Sequence, residues 1–307
     1  METAHQIFDR QALRIHRDRA ARAFGSHDFL TREIGARLSD RLLDIARTFP
    51  LALDLGARTG GYGPIPGGPG GVERVISCEL SEQMARRING GGVVADPEYL
   101  PFGASCFDLV YSNLDLHWTN DLPGCLLQIT RSLKPDGLFL ATILGGNTLT
   151  ELRQVLMAAE LEITGGASPR VSPFAELRDA GALLQRAGLA LPVVDADEIT
   201  ITYENIFRLL ADLRGMGETN TIHERLRTAT RRSVFLQAAK LYAERYPAEH
   251  GRIRATFELI YLHGWAPHVS QPKALRPGSA TTSLADALGN REHYGGGTHE
   301  PSRSDID

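Results

Sequence analysis

From residue 51 onward the chain alternates short, nearly unbroken apolar runs with stretches of helical periodicity, and nothing else in the sequence constrains the fold as tightly. The runs are Leu51-Ala-Leu-Asp-Leu55, Val75-Ile-Ser-Cys-Glu79, Gly92-Val-Val-Ala95, Phe107-Asp-Leu-Val-Tyr-Ser-Asn113 and Leu138-Phe-Leu-Ala-Thr-Ile-Leu144. A strand with one wet face alternates apolar and polar residues. A run that is apolar throughout is buried on both faces, as in a parallel sheet covered by helices. Ahead of the fifth run, Leu122, Leu126, Ile129 and Leu133 recur at helical spacing until Lys134-Pro-Asp-Gly137 stops them. Strand and helix in alternation predict an α/β, doubly wound, mostly parallel sheet with helices on both faces.

The pattern changes after residue 147. Thr148-Leu-Thr-Glu151 reads as a capping box opening a helix through about Leu161. Ser172-Pro173 reads as the start of a second helix that Gly188 ends. A strand over Val193 to Thr202, helices over Ile206 to Leu213 and Ser233 to Tyr246, and a long strand over Ile253 to Trp265 follow. The late strands are expected to complete the sheet, with the helices between them as a lid. The organisation expected is an N-terminal helical segment (1–50), a ligand-binding core (51–147), a lid with the last strands (148–266) and a mobile tail (267–307) rich in Gly, Pro, Ser and Thr.

Composition narrows the class. With 33 basic against 37 acidic residues, the chain lacks the basic excess of a dedicated nucleic-acid binder. Its apolar runs are far too short to span a membrane. Three widely spaced cysteines, Cys78, Cys106 and Cys125, form no metal or redox motif, and the arginine-rich N-terminus is neither a secretory signal nor acid-poor. These features predict a cytoplasmic protein. A facial triad for iron is not visible: His16-Arg-Asp18 has short spacing but falls on the N-terminal helix, away from the strand ends.

In doubly wound sheets ligands bind beyond the carboxyl ends of the strands, where the strand order reverses. Asp54-Leu-Gly-Ala-Arg-Thr-Gly60 follows the first strand, and glycines at 56 and 60 admit close backbone approach. Glu79 ends the second strand, 23 residues beyond Gly56, a spacing that suits a carboxylate gripping ribose hydroxyls. Asp96 ends the third, placed to accept from an adenine amino group. Asn113 ends the fourth, followed by Asp115, His117 and Trp118. Singly, each is an ordinary turn or cap residue. In this order they form the layout of an adenosyl ligand laid across four strands.

These residues, with Phe107-Asp-Leu-Val110 and Leu133-Lys-Pro-Asp-Gly137, resemble those of class I S-adenosylmethionine-dependent methyltransferases. Ile7-Phe-Asp-Arg10, Leu100-Pro-Phe102, Leu116-His-Trp118 with Asn120-Asp-Leu-Pro123, Gly145-Gly-Asn-Thr-Leu149 and Leu213-Arg-Gly-Met-Gly-Glu218 resemble the mitochondrial complex I assembly factor 5 family and its bacterial relatives. That resemblance covers roughly residues 6 to 285. The strand Ala255-Thr-Phe-Glu258 to Gly264-Trp265 is also similar to the biotin-pathway malonyl-carrier-protein methyltransferases. The resemblance implies a Rossmann-like, seven-stranded sheet binding S-adenosylmethionine. Asp54, Gly56 and Gly60 would line its methionine end, Glu79 the ribose and Asp96 the adenine. It also implies a protein or carrier partner, either a complex I subunit or an acyl carrier protein.

One departure stands out. Arg58 occupies the middle glycine of the family's glycine turn, and residues 60–71 contain ten Gly or Pro in twelve. Interior Gly costs about 1 kcal/mol and Pro about 3 kcal/mol against Ala in a helix, so the family's helix cannot form there in ordinary length. The loop reads either as an adapted ligand loop or as a decayed cofactor site. His117 reads either as a packed core histidine or as a base at the substrate mouth, with Asn113 and Asp115 beside it to align an acceptor. The arginines from 225 to 254 read as a solvated lid face, or as a docking surface for an acidic partner. Four functions follow from these readings. They are a methyltransferase-fold enzyme acting on a protein or carrier-linked substrate, an arginine hydroxylase in complex I assembly, a malonyl-carrier-protein O-methyltransferase, and a non-enzymatic assembly chaperone.

Overall fold

The computed structural model describes residues 6–174 and 176–272. One compact unit spans Met1–His268; of the remainder, only residues 269–272 are described, and the expectation of a mobile tail falls almost wholly outside the described residues. Seven strands form one sheet: β1 (Ala52–Leu55), β2 (Val75–Glu79), β3 (Val93–Val94), β4 (Phe107–Asn113), β5 (Leu133–Leu144), β6 (Ala190–Tyr203) and β7 (Ile253–Trp265). Their order is β3-β2-β1-β4-β5-β7-β6. The pairs among β1 to β5 are parallel, and β7 runs antiparallel to both β5 and β6. The order reverses between β1 and β4, which puts the crevice for a ligand beyond Leu55 and Asn113.

Both faces are covered, as the apolar runs require. Alternate residues of β5 divide between two cores. Leu138, Leu140 and Leu144 pack with α2 (Phe29–Arg41), α5 (Thr150–Thr164), α7 (Ile206–Gly215) and α8 (Arg232–Arg245). Phe139, Ala141 and Ile143 pack with α4 (Leu122–Ser132) and α6 (Leu177–Arg186). Helix α1 (Arg10–Ala20) lies beyond the strand ends, near the short α3 (Glu82–Ala85). Between β1 and β2 no helix forms among the described residues; Gly60, Gly61, Gly67, Gly70 and Gly71 there all have positive φ, the backbone that made a helix untenable.

Three local expectations need correction. Strand β5 begins at Leu133, not after Gly137. Leu133 already pairs with Phe107, and the Lys-Pro-Asp-Gly turn is absorbed as a register shift in the β4–β5 ladder, where a missing proline N–H is tolerated. The Thr148–Glu151 box does not cap α5. Thr148 Oγ1 instead accepts from the Glu258 N–H at 3.1 Å, and Glu151 accepts from Thr256 Oγ1 at 2.6 Å, so both side chains fasten the helix to β7. Ser172-Pro173 does not open α6, which starts at Leu177. The Ser172 carbonyl accepts from Arg153 at 3.1 Å.

Candidate active site

Two regions adjoin the switch point: a row of carboxylates at the strand ends, and a cavity under the lid helices. The row is tightly built. Gly56 turns the chain out of β1 with φ 79°, and a Cβ there would lie 2.2 Å from the Asp115 Cβ. Gly60 repeats the conformation with φ 82° against Ile88. Asp54 is buried beneath this turn. Burial pushes its carboxyl up to about 7, opposed by a hydrogen bond from Tyr111 and reinforced by the charges of Glu79 and Asp115.

Glu79, Asp96 and Asp115 each already hold a cation, and Asp54 accepts from the Tyr111 hydroxyl. Helix α1 is capped by Asp9, which accepts from the Ala12 N–H at 2.9 Å. Positions 10, 13, 17 and 20 share one face of such a helix. Leu13 and Ala20 are buried on it, and Arg10 and Arg17 point with them. Arg17 Nη1 donates to Glu79 Oε1 at 3.2 Å, and its Nη2 lies 2.5 Å from Asp115 Oδ1. Arg10 pairs with Asp96 through both Nε and Nη2. The Ser81 N–H also donates to Glu79 Oε1, at 3.0 Å, and the Arg58 N–H to Oε2, at 2.9 Å; Glu79 is 0% exposed.

Arg58 is the second buried guanidinium. Its backbone takes the left-handed φ of 55°, the conformation that suits the glycine the family has there. Its side chain offsets that strain with three partners: Asp115 at 3.2 Å, the Leu114 carbonyl at 2.8 Å and Glu218 at 2.7 Å. Burial raises the Asp115 carboxyl, but Arg17 and Arg58 outweigh it and hold it below the usual range.

The cavity encloses about 860 Å³. One wall is apolar, with Leu149, Leu152, Phe174, Leu213, Phe235 and Phe257. The other is polar, with Arg58, His117 and Glu218, and the guanidinium groups of Arg19 and Arg214 make no ion pair or side-chain hydrogen bond among the described residues. His117 is 7% exposed, and neither ring nitrogen has a hydrogen-bond partner. Its Nε2 is 3.7 Å from Glu218 Oε2, an electrostatic contact beyond hydrogen-bond reach. Burial lowers the His117 pKa, with Glu218 opposing, so the imidazole is neutral at neutral pH. Glu218 stays ionised, since the neighbouring Arg58 charge outweighs the effect of burial, and it accepts from Trp118 Nε1 at 2.6 Å.

The sequence-predicted residues therefore divide. Asp54, Gly56, Glu79 and Asp115 come together in the row, with Gly60 and Asp96 at its margins. Of the three catalytic candidates, only His117 lines the cavity. Asp115 is locked between two arginines. The Asn113 amide donates to the carbonyls of Thr31 and Tyr62, each at 2.8 Å, and holds α2 and the Gly/Pro loop to β4. Sequence reasoning missed Arg10, Arg17, Tyr111 and Glu218 as site residues. A signal existed for two of them, because the seven-residue spacing of Arg10 and Arg17 puts both on the buried face of an amphipathic helix.

Residues 53–141 match the family model described as a methyltransferase domain. The YcgJ protein of Bacillus subtilis has the same fold, with a TM-score of 0.50 at 16% identity over 76% of this chain and 99% of that one. This fold, with acids at the ends of β2 and β3 and the glycine turn after β1, defines a class I S-adenosylmethionine-dependent methyltransferase. The chain is 43% identical over 91% of its length to the protein named arginine-hydroxylase NDUFAF5, mitochondrial, of Danio rerio, covering 89% of that protein. The human counterpart is 42% identical over 91% of this chain and 83% of its own length. A malonyl-[acyl-carrier protein] O-methyltransferase of Gallionella capsiferriformans is 31% identical over 89% of this chain and 96% of its own. The chain belongs to this family of methyltransferase-fold enzymes, on the NDUFAF5-like side of it. Among the described residues, no helix is long and apolar enough to cross a membrane.

The family implies S-adenosylmethionine, and the residues can be tested against it. The chemistry of the donor set is right: carboxylates stand at the ends of β2 and β3 and a glycine turn follows β1. The acids are already paired, however: Arg17 holds Glu79 and Arg10 holds Asp96. An adenosyl ligand that used these two carboxylates would have to displace those arginines.

Proposed function

We propose that this chain is an S-adenosylmethionine-dependent enzyme that modifies a group carried by another protein in the assembly of respiratory complex I, the setting that its family resemblance implies; its NDUFAF5 relatives are named arginine hydroxylases, a reaction that draws its oxygen atom from dioxygen and needs a two-electron reductant as co-substrate. The carrying observation is the pairing of a cavity of about 860 Å³ with a buried, neutral His117 whose two ring nitrogens have no partner among the described residues. A histidine so placed accepts a proton from a group presented in the cavity. Glu218, 3.7 Å away and held ionised by Arg58, stabilises the imidazolium that results. Asp115 supports this indirectly by fixing Arg58, and Asn113 by fixing the loop, so both are positioning residues. The cofactor belongs to a form of the molecule in which the carboxylate row has opened, with Asp54, Gly56 and Gly60 toward its methionine end, Glu79 toward the ribose and Asp96 toward the adenine.

A second reading has its own observation. Arg19 and Arg214, unpaired among the described residues, line the cavity together with apolar side chains and suit a carboxylate at the end of an acyl chain, the chemistry for which the malonyl-carrier relatives are named. The partner is then an acyl carrier protein. Under both readings the enzyme is cytoplasmic, consistent with its three free cysteines, although the NDUFAF5 relatives are named as mitochondrial. Mass analysis of candidate partners separates the readings. Incubation with S-adenosylmethionine should add a methyl group to a malonyl carrier in the second reading. In the first, deleting the gene should remove one oxygen from an arginine of a complex I subunit and deplete the complex. A deletion strain with intact complex I would remove the first reading, and biotin auxotrophy would favour the second.

A further inference from the structure

The carboxylate row and helix α1 fit each other too closely for α1 to be a passive cover. Arg10 and Arg17 stand seven residues apart, about 10 Å along a helix at 1.5 Å per residue. They reach the acids after β3 and β2 respectively. Those are the two acids assigned above to the adenine and the ribose. A third contact, Arg17 to Asp115, holds the Asp115 side chain against Gly56. Other contacts keep the helix on the molecule. Leu13 is buried, the Phe8 and Trp118 rings meet edge to face at 5.3 Å, and the Phe8 N–H donates to Asn120 at 2.8 Å. The arginines can therefore leave their partners while the apolar face of α1 stays docked. The cluster also retains unused donor capacity: Nε of Arg17 is buried without an acceptor.

Resting on the cofactor reading above, we propose that α1 is an internal gate of the adenosyl site: Arg17 and Arg10 occupy the ribose and adenine carboxylates, and ligand binds only as these arginines withdraw. The ligand class is an adenosine bearing a 5′ amino-acid chain. Its ribose hydroxyls take the Glu79 lone pair that Arg17 now fills, and its adenine amino group takes Asp96 from Arg10. Ligand affinity is then reduced by the fraction of molecules in which the gate is shut. Arg17 differs in this from an ordinary ligand contact, and the difference has a sign. Removing a contact weakens binding, whereas removing a competitor strengthens it.

The test is calorimetric titration of the full chain with S-adenosylhomocysteine, comparing wild type with Arg17→Ala and Arg10→Gln. The gate predicts at least ten-fold tighter binding for Arg17→Ala and a several-fold gain for Arg10→Gln. Arg17→Ala leaves buried acids unpaired and can fail to fold. Arg10, with 17% of its side chain exposed, is the safer variant. Amide exchange on wild type is the independent readout. Ligand should leave exchange along α1 no slower if its arginines are expelled while the helix stays docked, and slow it if they clasp the ligand. Weaker binding by either variant, or slowed exchange in α1, overturns the gate while leaving the cofactor reading intact. Absence of binding by folded wild type and by both folded variants overturns the cofactor reading, and the gate with it.

Discussion

The carboxylate row and the lid cavity lie side by side and share Arg58, yet they solve opposite problems. The row is buried, and its charges are paired. Arg17, Arg58, Glu79 and Asp115 are each 3% exposed or less, and the charges close on one another. The cavity is roomy and underused, with a histidine whose ring nitrogens have no hydrogen-bond partner and two exposed guanidinium groups, Arg19 and Arg214, that hold no acid among the described residues. Buried ion pairs add little over apolar packing when intact, but breaking one leaves an uncompensated charge. The row should therefore report on stability and the cavity on chemistry. Arg58 couples them, because one guanidinium holds both Asp115 and Glu218.

The sharpest way to break this contrast is at Asp115. Asp115→Ala leaves Arg17 and Arg58 facing each other without their shared carboxylate. The expected cost is about 3–5 kcal/mol, seen as a lowered denaturation midpoint. A loss under 1 kcal/mol would mean that water fills the row and that it is not the closed structure described.

A comparable effect should follow from pH. The Asp54 carboxyl stands at about 7, so the folded chain keeps a proton that the unfolded chain has released above about 4. Folding stability from this group is therefore full below pH 4, falls as pH rises through that window, and is lost above pH 7, by about 4 kcal/mol. In Asp54→Asn the decline between pH 5 and 7 should flatten. A variant whose profile still matches wild type would take Asp54 out of the explanation.

In the cavity the signature reverses. His117→Gln breaks no hydrogen bond and should shift stability by no more than about 1 kcal/mol. It should cost on the order of 100-fold or more in turnover if the imidazole accepts the proton. Equal effects on stability and turnover would make His117 a packing residue. The smallest effect is expected at Arg19→Ala or Arg214→Ala. Stability should stay within about 0.5 kcal/mol, and KM for a carboxylate-bearing acyl carrier should rise several-fold without change in kcat. An unchanged KM for that substrate would count against the acyl reading.

How far the sequence carries the reader differs between the two regions. Apolar runs identify strands buried on both faces, so the five parallel strands and the late pair were legible as a sheet. The acids at their ends were legible for the same reason, since a residue closing an apolar run lies at the lip of the sheet. The Gly/Pro content of residues 60–71 announced the loss of the usual helix, because backbone entropy and missing N–H groups act locally. Local reasoning failed where a side chain had two suitors. Thr148 and Glu151 have the spacing of a capping box, but β7 passes close enough to take both, and tertiary hydrogen bonds replace the cap.

The cavity was barely legible. His117 and Glu218 are about a hundred residues apart, and their approach depends on how the segment after α7 folds back over the switch point. The sequence by itself determined the sheet, the order of the strand-end acids and the broken turn at Arg58, because each follows from local propensity and burial period. Only the tertiary structure decided that those acids are held by arginines from α1. The charge on a carboxylate says that it needs a partner. Which partner arrives is settled by which helix packs across the strand ends.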